Sequence, residues 1–528
     1  MTQTTERPAA SPAAGRAPAW VTALAGVLAG AVGLAVAELV AAVVAPGAST
    51  LFAGGAAVID AAPPWLKDLA VEFFGTADKA VLLGSMGAVL ALGAAAAGLL
   101  ERRRPPWGAV LIAAVGIVGA ITAALRPDAT ALWAAPSVVG IGAAVPVLRT
   151  LIRRLPAAES VDASKHGRPA EPPTMDRRGF LVASGLAAGV TVLALAGARV
   201  LSAGTRAVQA ARETLRLPVP RSPAPSVPTG ADLRIGGLTP YITPAADFYR
   251  IDTALRVPQL DPAHWSLEVH GLVDAPFTLT WDELLALPLE EHHATLACVS
   301  NEVGGDLIGN ALWLGYPIRA LLERAKPRAG ADMVLSRSHD GFTAGTPLDV
   351  LRDPARTSLL AIGMNGEPLP VAHGFPARIV VPGLYGYVSA TKWVTSLKVT
   401  TFAADQGYWT PRGWSALGPV KVSSRIDVPG GSVSAGAVTV AGVAWAQHTG
   451  IGKVEVRADS GPWMQAELAD TVGPDTWRQW RTSLPLARGA HTLEVRATDA
   501  NGRVQSETEA PPAPDGATGW HRVVVSAR

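Results

Sequence analysis

Five long apolar runs occupy the first two hundred residues, and charged residues or prolines bound each of them. Each run is rich in alanine, valine, leucine and glycine and has about the 17–25 residues that cross a bilayer as a helix. Buried helices of a soluble domain are the alternative, and the membrane interpretation is favoured. The pattern predicts a bundle of five transmembrane helices within residues 20–204, at Trp20–Val44, Ala80–Leu100, Trp107–Leu125, Ala131–Leu148 and Phe180–Val200.

The short loops between these runs differ in positive charge. Arg102, Arg103 and Arg104 lie between the second and third runs, and further arginines, among them Arg153, separate the fourth run from the fifth. The loops on the other side carry fewer Lys and Arg residues. The positive-inside rule therefore places the tail of residues 1–19 in the cytoplasm and everything after the fifth helix outside it.

A segment with the sequence DRRGFL begins at Asp176 and precedes the glycine- and alanine-rich fifth run. It resembles a twin-arginine export signal, which suits cargo that folds around a cofactor before it crosses the membrane. An ordinary basic flank that obeys the positive-inside rule explains Arg177 and Arg178 equally well. The sequence leaves both interpretations open.

The polar part of the chain divides into a linker and two domains. Residues 205–241 are rich in proline and predict an extended, semi-rigid spacer, and the polar stretch 156–174 predicts a loop. Residues 242–428 mix strand-like runs with helical runs at Trp281–Ala286 and Ile318–Ala325 and show no regular βαβ period, which indicates an α+β domain. In residues 429–528, short alternating segments are separated by turn residues, the pattern of a β-sandwich. The fold class is therefore multidomain.

The composition excludes several classes of function. The chain has 45 Lys and Arg residues against 43 Asp and Glu residues, a balance that gives no indication of nucleic-acid binding. A single cysteine excludes intrachain disulfides, multi-cysteine zinc or iron–sulfur sites and covalent c-type haem. Since no histidine precedes His166, the predicted spans offer no ligand to a b-type haem, and no haem is expected.

The one cysteine, Cys298, ends an alternating run that predicts a strand entering a loop. Glycines at positions 304, 305 and 309 follow within a turn-rich segment. A lone cysteine is most often a small core residue. A thiol at the end of a strand and beside a glycine-rich loop is instead where a rigid scaffold places a ligand.

The segment from Phe248 to about Asp427 resembles the molybdopterin-binding domain of the sulfite oxidase family. The matching pieces stand in the family's order and are FYRIDTALRVP, TLACVSNEVGGDLIGNALWLGYP, HDGFT, MNGEPLPVAHGFPARIVVPGLYGYVSATKW and SRIDVP. The resemblance implies that the Cys298 thiolate binds molybdenum directly, and a soft anionic sulfur suits that metal. From Gly430 onward the chain resembles the family's immunoglobulin-like dimerisation domain, which implies a homodimer; a monomeric stabilising lid is the alternative.

The resemblance also implies which residues bind the cofactor. A terminal phosphate needs Arg or Lys with hydroxyls and backbone N–H groups, and a pterin edge can be read by Asp, His and backbone groups. For each position taken alone, a core or surface residue without a ligand is the alternative. The matched positions are Phe248, Tyr249, Arg250, Asp340, His373, Arg378, Ser389, Thr391 and Lys392.

Two departures from the family's pattern concern the substrate. Sulfite oxidases carry basic residues just after the cysteine, whereas Glu302 stands in that stretch here. The family's tyrosine that follows the last strand of the domain has Trp414 as its counterpart, with Tyr408 and Arg412 as further catalytic candidates nearby. An anionic substrate would therefore meet a weaker positive field.

The sequence thus predicts a membrane-embedded molybdenum-cofactor oxidoreductase that transfers an oxygen atom to or from a small sulfur or related oxyanion outside the cytoplasmic membrane. A separate electron carrier is expected to exchange electrons with it one at a time. One alternative is a sulfoxide or N-oxide reductase of the same fold. The other is a cofactor-free binding or scaffold protein anchored in the membrane.

Overall fold

The structure is a computed structural model that describes residues 18–44, 46–63, 66, 69, 73–74, 78–126, 129–155, 177–201 and 203–528. It divides into two compact units, Met1–Ala203 and Gly204–Arg528. Residues 1–17 of the predicted tail, the predicted loop 156–174 and Asp176 of the twin-arginine-like segment lie outside the described residues.

The first unit is helical, and five of its helices are long and apolar enough to cross a membrane. They begin and end within a few residues of the predicted spans. A shorter apolar helix of 12 residues, which the sequence analysis did not predict, begins at the Ser49 cap. The helices are α1 (Ala19–Val44), α2 (Thr50–Ala61), α3 (Asp78–Arg103), α4 (Trp107–Ala124), α5 (Ala135–Arg153) and α6 (Arg177–Leu201).

Small residues let these helices approach closely. A Cβ added to Gly26 of α1 would collide with the carbonyl oxygen of Ala94 in α3. A Cβ on Gly33 would lie 2.7 Å from Cβ of Ala144 in α5. Glycine and alanine at crossings are typical of helices that associate within a bilayer, where close packing replaces hydrophobic burial. The alanine- and glycine-rich composition is therefore used for helix packing.

The second unit opens with helix α7 (Ala203–Thr214) and continues with an α+β region built on two sheets. The predicted helices are present at the predicted residues, and a capping box of Thr280 and Glu283 begins the first of them. One sheet has the order β2-β1-β10-β5-β6, and the other runs β3-β4-β7-β8 with β9 on β7. The elements are β1 (Ser266–Gly271), β2 (Phe277–Thr280), α8 (Trp281–Ala286), β3 (Glu290–Ala297), β4 (Ile308–Pro317), α9 (Ile318–Ala325), β5 (Met333–Ser338), β6 (Thr343–Pro347), α10 (Leu348–Arg352), β7 (Leu359–Met364), β8 (Glu367–Pro368), β9 (Arg378–Val380) and β10 (Val394–Thr400).

The C-terminal region is rich in β-structure and consists of two further sheets. Their orders are β11-β13-β17-β16 and β12-β19-β18-β14-β15. Inward side chains of both sheets, such as Val440, Trp480 and Val495, share one core. The immunoglobulin-like classification of this region stays a prediction. The strands are β11 (Ser423–Val428), β12 (Ser432–Val433), β13 (Gly436–Trp445), β14 (Ile451–Ala458), β15 (Met464–Gln465), β16 (Glu467–Leu468), β17 (Arg478–Leu486), β18 (Gly489–Asp499) and β19 (His521–Ala527).

The proline-rich stretch differs in one respect from the extended, semi-rigid spacer that its composition predicts, because it packs along the folded domains. The Arg221 N–H donates to the Leu289 carbonyl at 2.8 Å, and the Tyr241 carbonyl accepts a hydrogen bond from the Trp477 indole at 2.9 Å. Leu217 and Val227 pack against the core of the α+β region. Proline removes backbone donors but leaves carbonyls and an extended path that can lie along a folded surface. The stretch is therefore part of the second unit.

Candidate functional site

Cys298 directly follows the last residue of β3 and begins the loop that leads to β4, here called the cysteine loop (residues 298–307). Its N–H donates to the Leu307 carbonyl at 2.9 Å, and the Asn301 side-chain oxygen accepts from the Leu307 N–H at 2.8 Å. Gly304 has φ of +78°, which favours glycine. The predicted position of the thiol at a strand end is confirmed by these bounds. The loop closes on itself and holds the thiol at the edge of a sheet.

Burial governs the acidity of this thiol. Cys298 is 9% exposed. Burial raises the pKa of the Cys298 thiol, and hydrogen bonds from Ser300 and from the Val299 backbone only partly oppose that rise. The thiol is therefore protonated near neutral pH unless a cation lies beside it, and a bound metal ion would supply that charge.

A group of basic residues, here called the cationic cluster, consists of Arg250, Arg378, Lys392 and the histidine His373. Asp252 accepts from the Arg250 guanidinium at 3.0 Å and from the Lys392 ammonium at 2.7 Å. Burial, followed by the nearby Arg378 and Lys392 charges, lowers the pKa of His373 to about 4. The His373 ring is therefore neutral at physiological pH and can read a hydrogen-bonding edge without adding charge.

Arg378 is the most deeply placed cation of the cluster. It is 5% exposed, and its guanidinium donates to the His373 carbonyl at 3.2 Å and to the Ala390 carbonyl at 3.5 Å. Across the described part of the chain, no carboxylate lies within ion-pair distance of it. Burial lowers the pKa of Arg378 to about 10, so the group remains charged at neutral pH. The guanidinium carbon also lies 5.1 Å from the Trp313 ring centroid. A buried cation whose partners are carbonyls and an aromatic ring, with no carboxylate among them, is a site that favours an anion.

Gly374 brings the cluster together. Its φ is +113°, and an added Cβ would lie 2.9 Å from Cβ of Arg378 and 3.2 Å from Cβ of Lys392. A side chain at this position would push the two cations apart. The sequence His373-Gly374 therefore allows a turn on which the two cations pack closely.

Two aromatic residues pack beside the cationic cluster. Phe248 stacks on Tyr249 with ring centroids 5.2 Å apart and meets the His373 ring edge-on at 5.7 Å. Burial raises the pKa of the Tyr249 hydroxyl; the nearby Cys298 raises it further and Arg378 lowers it. Tyr249 therefore keeps its proton at neutral pH, and it packs on Phe248 beside the cationic cluster.

The remaining predicted cofactor positions have protein partners of their own. The Ser389 hydroxyl donates to the Tyr385 carbonyl at 2.9 Å, and the Thr391 hydroxyl lies 2.7 Å from that of Ser336. Asp340 accepts from the Phe342 N–H at 3.2 Å and from the Thr253 hydroxyl at 3.5 Å. Ser389 and Thr391 are fully buried, and their hydroxyls already support the turn and strand that carry the cluster.

The three catalytic candidates besides Cys298 lie in a separate group that is mainly aromatic and consists of Tyr408, Trp409, Arg412 and Trp414. The Arg412 guanidinium carbon lies 3.7 Å from the Tyr408 ring centroid. Trp414 packs 6.2 Å from Trp409 and 5.8 Å from Tyr387, measured between ring centroids. The Tyr387 hydroxyl donates to the Ser415 carbonyl at 2.8 Å. These contacts tie Trp414 to the turn that contains Tyr385 and Tyr387.

Comparison with known proteins identifies the domain that this site belongs to. The pattern of the oxidoreductase molybdopterin binding domain matches residues 254–409. The uncharacterized oxidoreductase YuiH of Bacillus subtilis is 36% identical over 158 residues, which cover 30% of this chain and 76% of that protein. The chain belongs to the sulfite oxidase family of molybdopterin oxidoreductases.

Longer relatives of the sulfite oxidase family cover more of the chain. The mitochondrial sulfite oxidase of Homo sapiens is 30% identical over 325 residues, 51% of this chain and 58% of that protein. The chain thus spans somewhat more than half the length of these curated relatives. Among solved structures, the sulfane dehydrogenase SoxCD from Paracoccus pantotrophus is 22% identical with a TM-score of 0.48, covering 55% of this chain and 84% of that one.

The donor set fits the molybdopterin cofactor of the sulfite oxidase family. That cofactor ends in a phosphate, and the cationic cluster offers a buried guanidinium without a carboxylate partner in the described structure. The neutral His373 ring provides a hydrogen-bonding edge next to it. The fit rests on a buried guanidinium that no described carboxylate compensates and on a buried thiol of the kind that can bind the metal.

Three residues that lie near the predicted site positions carried no prediction from the sequence. Asp252 pairs with two cations of the cluster and stands in the FYRID piece of the resemblance. Asn301 shapes the cysteine loop through its side-chain oxygen. Tyr385 lines a small cavity together with Asn301, Glu302 and Val303 of the cysteine loop, and burial raises the pKa of Tyr385 to about 12. Asp252 and Asn301 lie within three residues of predicted site residues, so the sequence could have indicated them. Tyr385 is distant in sequence and comes near the cysteine loop only in the folded chain.

Proposed function

We propose that this chain binds the molybdenum cofactor between the cationic cluster and Cys298 and catalyses oxygen-atom transfer on a small sulfur oxyanion. The observation that carries the proposal is Arg378, a buried cation whose described partners are backbone carbonyls and the Trp313 ring and include no carboxylate. Burying a charge without a counter-charge costs several kcal/mol or more. An anionic cofactor phosphate would remove that cost. A scaffold without a cofactor would have no use for a buried charge at Arg378.

The chain's own residues would divide the work of holding the cofactor. Arg378 and Lys392 bind the phosphate, and Arg250 adds charge at the more exposed rim. The His373 edge and the Asp340 carboxylate orient the pterin, while Phe248 and Tyr249 cover it from water. The Cys298 sulfur holds the metal at the end of β3. The two-electron oxygen-transfer chemistry is supplied by the cofactor when it is bound.

Metal analysis followed by a substrate panel tests this function. Purified full-length protein is expected to contain about one molybdenum per chain, since one thiolate serves one metal. Sulfite oxidation with an artificial electron acceptor is then compared with reduction of sulfoxides and N-oxides by the same preparation. Protein that lacks molybdenum after expression in a cofactor-producing host would contradict the proposal and favour the scaffold alternative.

A sulfoxide or N-oxide reductase is the second candidate, and the charge of the cysteine loop favours it. Glu302 and Asp306 are both exposed on this loop. Two carboxylates beside the thiol repel a sulfite dianion but leave a neutral sulfoxide unaffected. Turnover of sulfoxides without turnover of sulfite would select this candidate, and the reverse result would remove it.

The pKa of Lys392 predicts how cofactor capture depends on pH. Burial lowers the pKa of Lys392 to about 8, and the Asp252 carboxylate only partly opposes this shift. The ammonium is therefore present below pH 8 and lost as the pH rises through that value, which weakens attraction to a phosphate. We expect the rate of cofactor uptake by cofactor-free protein to fall between pH 7 and pH 9, with a midpoint at about pH 8.

A matched variant isolates Lys392 as the cause of this fall. Lys392→Arg keeps a charge that does not titrate in this range, so its uptake rate is expected to stay level from pH 7 to pH 9. Uptake is measured by molybdenum content after incubation with the isolated cofactor. A fall of equal size in Lys392→Arg would assign the pH dependence to another group.

The proposed location is the outer side of the cytoplasmic membrane, with electrons passing to a separate carrier. Five helices that could span a bilayer and arginines in alternate loops support it. Protease added to intact protoplasts is expected to digest the second unit, and protection there would place the site inside. We also propose a homodimer through the C-terminal β-rich region, which light scattering of detergent-solubilised protein tests.

A further inference from the structure

The C-terminal β-rich region contacts the cysteine loop directly. Arg425 lies on β11 of that region, and its side chain is 10% exposed. Its guanidinium donates to the Gly305 carbonyl at 2.6 Å, which places one of its N–H groups on the backbone of the cysteine loop. This carbonyl belongs to a residue seven positions after the thiol.

Two further partners hold the Arg425 guanidinium in place. It donates to the Asp427 carboxylate at 2.6 Å and to the Thr239 hydroxyl at 2.8 Å. The Thr239 N–H in turn donates to Asp427 at 3.1 Å. A planar guanidinium that donates to three fixed acceptors has little freedom to move, so Arg425 presents a rigid donor to the loop. Lysine could reach one of these acceptors at a time.

A second residue of the same region packs against the loop. Any Cβ on Gly304 would collide with the His521 ring, which therefore lies flush against the loop backbone. The His521 ring accepts a hydrogen bond from the Ile426 N–H at 3.0 Å through Nδ1. Burial and the neighbouring Arg425 charge lower the pKa of His521, which keeps the ring neutral. The loop is thus held by a hydrogen bond at Gly305 and by a ring at Gly304.

The strand before the thiol is held from the same side. The Thr295 N–H donates to the Asp475 carbonyl at 2.9 Å, and the Thr295 hydroxyl accepts from the Trp477 N–H at 2.8 Å. These bonds fix β3 three residues before Cys298. The loop after the thiol has its own internal hydrogen bond to Asn301, which sets its shape locally, and its contacts with the C-terminal region include the Arg425 guanidinium and the His521 ring.

We infer that Arg425 is a positioning residue for Cys298, through which the C-terminal β-rich region fixes where the thiol points. The inference rests on the proposed role of Cys298 as the metal ligand. It assigns the C-terminal region a part in the site in addition to any part in dimerisation. A ligand sulfur must be held within a fraction of an ångström of its productive position, and a loop alone is less exact than a loop tied to a sheet.

Hydrogen exchange of the full-length protein tests this inference. In Arg425→Ala, amides of the cysteine loop are expected to exchange about tenfold faster or more, because the loop opens more often without its anchor. Strands β13 and β17 should keep their wild-type exchange. Arg425→Lys is expected to recover part of the protection, since an ammonium still reaches the Gly305 carbonyl. Arg481→Ala, which breaks an exposed ion pair with Glu467 in the same region, is the control and should leave the loop unchanged.

Each result decides the inference. Wild-type exchange of the loop in Arg425→Ala overturns it, and so does equal acceleration throughout the C-terminal region, which would mark Arg425 as a residue of general stability. If neither variant folds, Arg425 is required for the fold and the inference also fails. Molybdenum content measured on the wild-type sample keeps the proposed function separate, because exchange of the loop amides is observed with or without metal.

Discussion

Replacing Cys298 by alanine is expected to reduce turnover at least about a thousandfold, a loss of about 4 kcal/mol of transition-state stabilisation. The reason is that the chain has no second thiol to take over the ligand position. The fold should persist, since removing one small buried side chain costs about 1–2 kcal/mol. Turnover, molybdenum content and melting temperature measured on the same preparation check all three parts.

A neighbouring substitution controls for damage to the loop. Ser300→Ala removes a hydrogen bond to the sulfur and leaves the sulfur itself in place. Its effect on turnover should be about tenfold or less, in keeping with the 1 kcal/mol scale of one hydrogen bond. Turnover of Cys298→Ala within tenfold of wild type would contradict the proposed role of the thiol, whatever Ser300→Ala shows.

Elements with a strong local signal were predictable from the sequence. The apolar runs predicted helices that the structure places at Ala19–Val44 and Trp107–Ala124, within one residue of the predicted ends. In the second unit, Trp281–Ala286 and Ile318–Ala325 match the predicted helices at both ends. Length, capping residues and periodicity are local properties of the chain, so each of these elements could be read without knowing the fold.

The parts that escaped prediction depend on contacts between distant segments. The proline-rich stretch has the composition of a spacer, and only the edge of β3 and the Trp477 indole reveal that it packs. The sequence likewise suggests a cation at Arg378 but cannot show that it is buried away from carboxylates. The link from Arg425 to the cysteine loop joins positions 120 residues apart, and no local pattern signals it. The site residues themselves were supplied by the family resemblance, and the structure adds the charge and burial that the motif letters leave out.

Replacing Arg378 by methionine is expected to have opposite effects on cofactor content and on the stability of the cofactor-free protein. Cofactor retained after purification should fall at least about a hundredfold, because the phosphate loses a buried guanidinium worth about 3 kcal/mol in charge-assisted hydrogen bonds. The cofactor-free protein should become more stable by about 1–3 kcal/mol, since a methionine of similar length removes a buried charge that no carboxylate pairs with, and this gain exceeds the loss of its contacts with carbonyls and the Trp313 ring.

The opposite signs separate a cofactor site from an ordinary structural arginine. A structural arginine would lower the melting temperature of the cofactor-free protein when it is replaced, because its hydrogen bonds to the His373 and Ala390 carbonyls would be lost without compensation. An arginine kept for an anion lowers the stability of the empty protein, so its removal raises the melting temperature while molybdenum content falls. Arg481→Met, at an exposed ion pair, should change neither quantity. Unchanged molybdenum content in Arg378→Met, or a lower melting temperature of its cofactor-free form, would contradict the assignment of Arg378 to the cofactor phosphate.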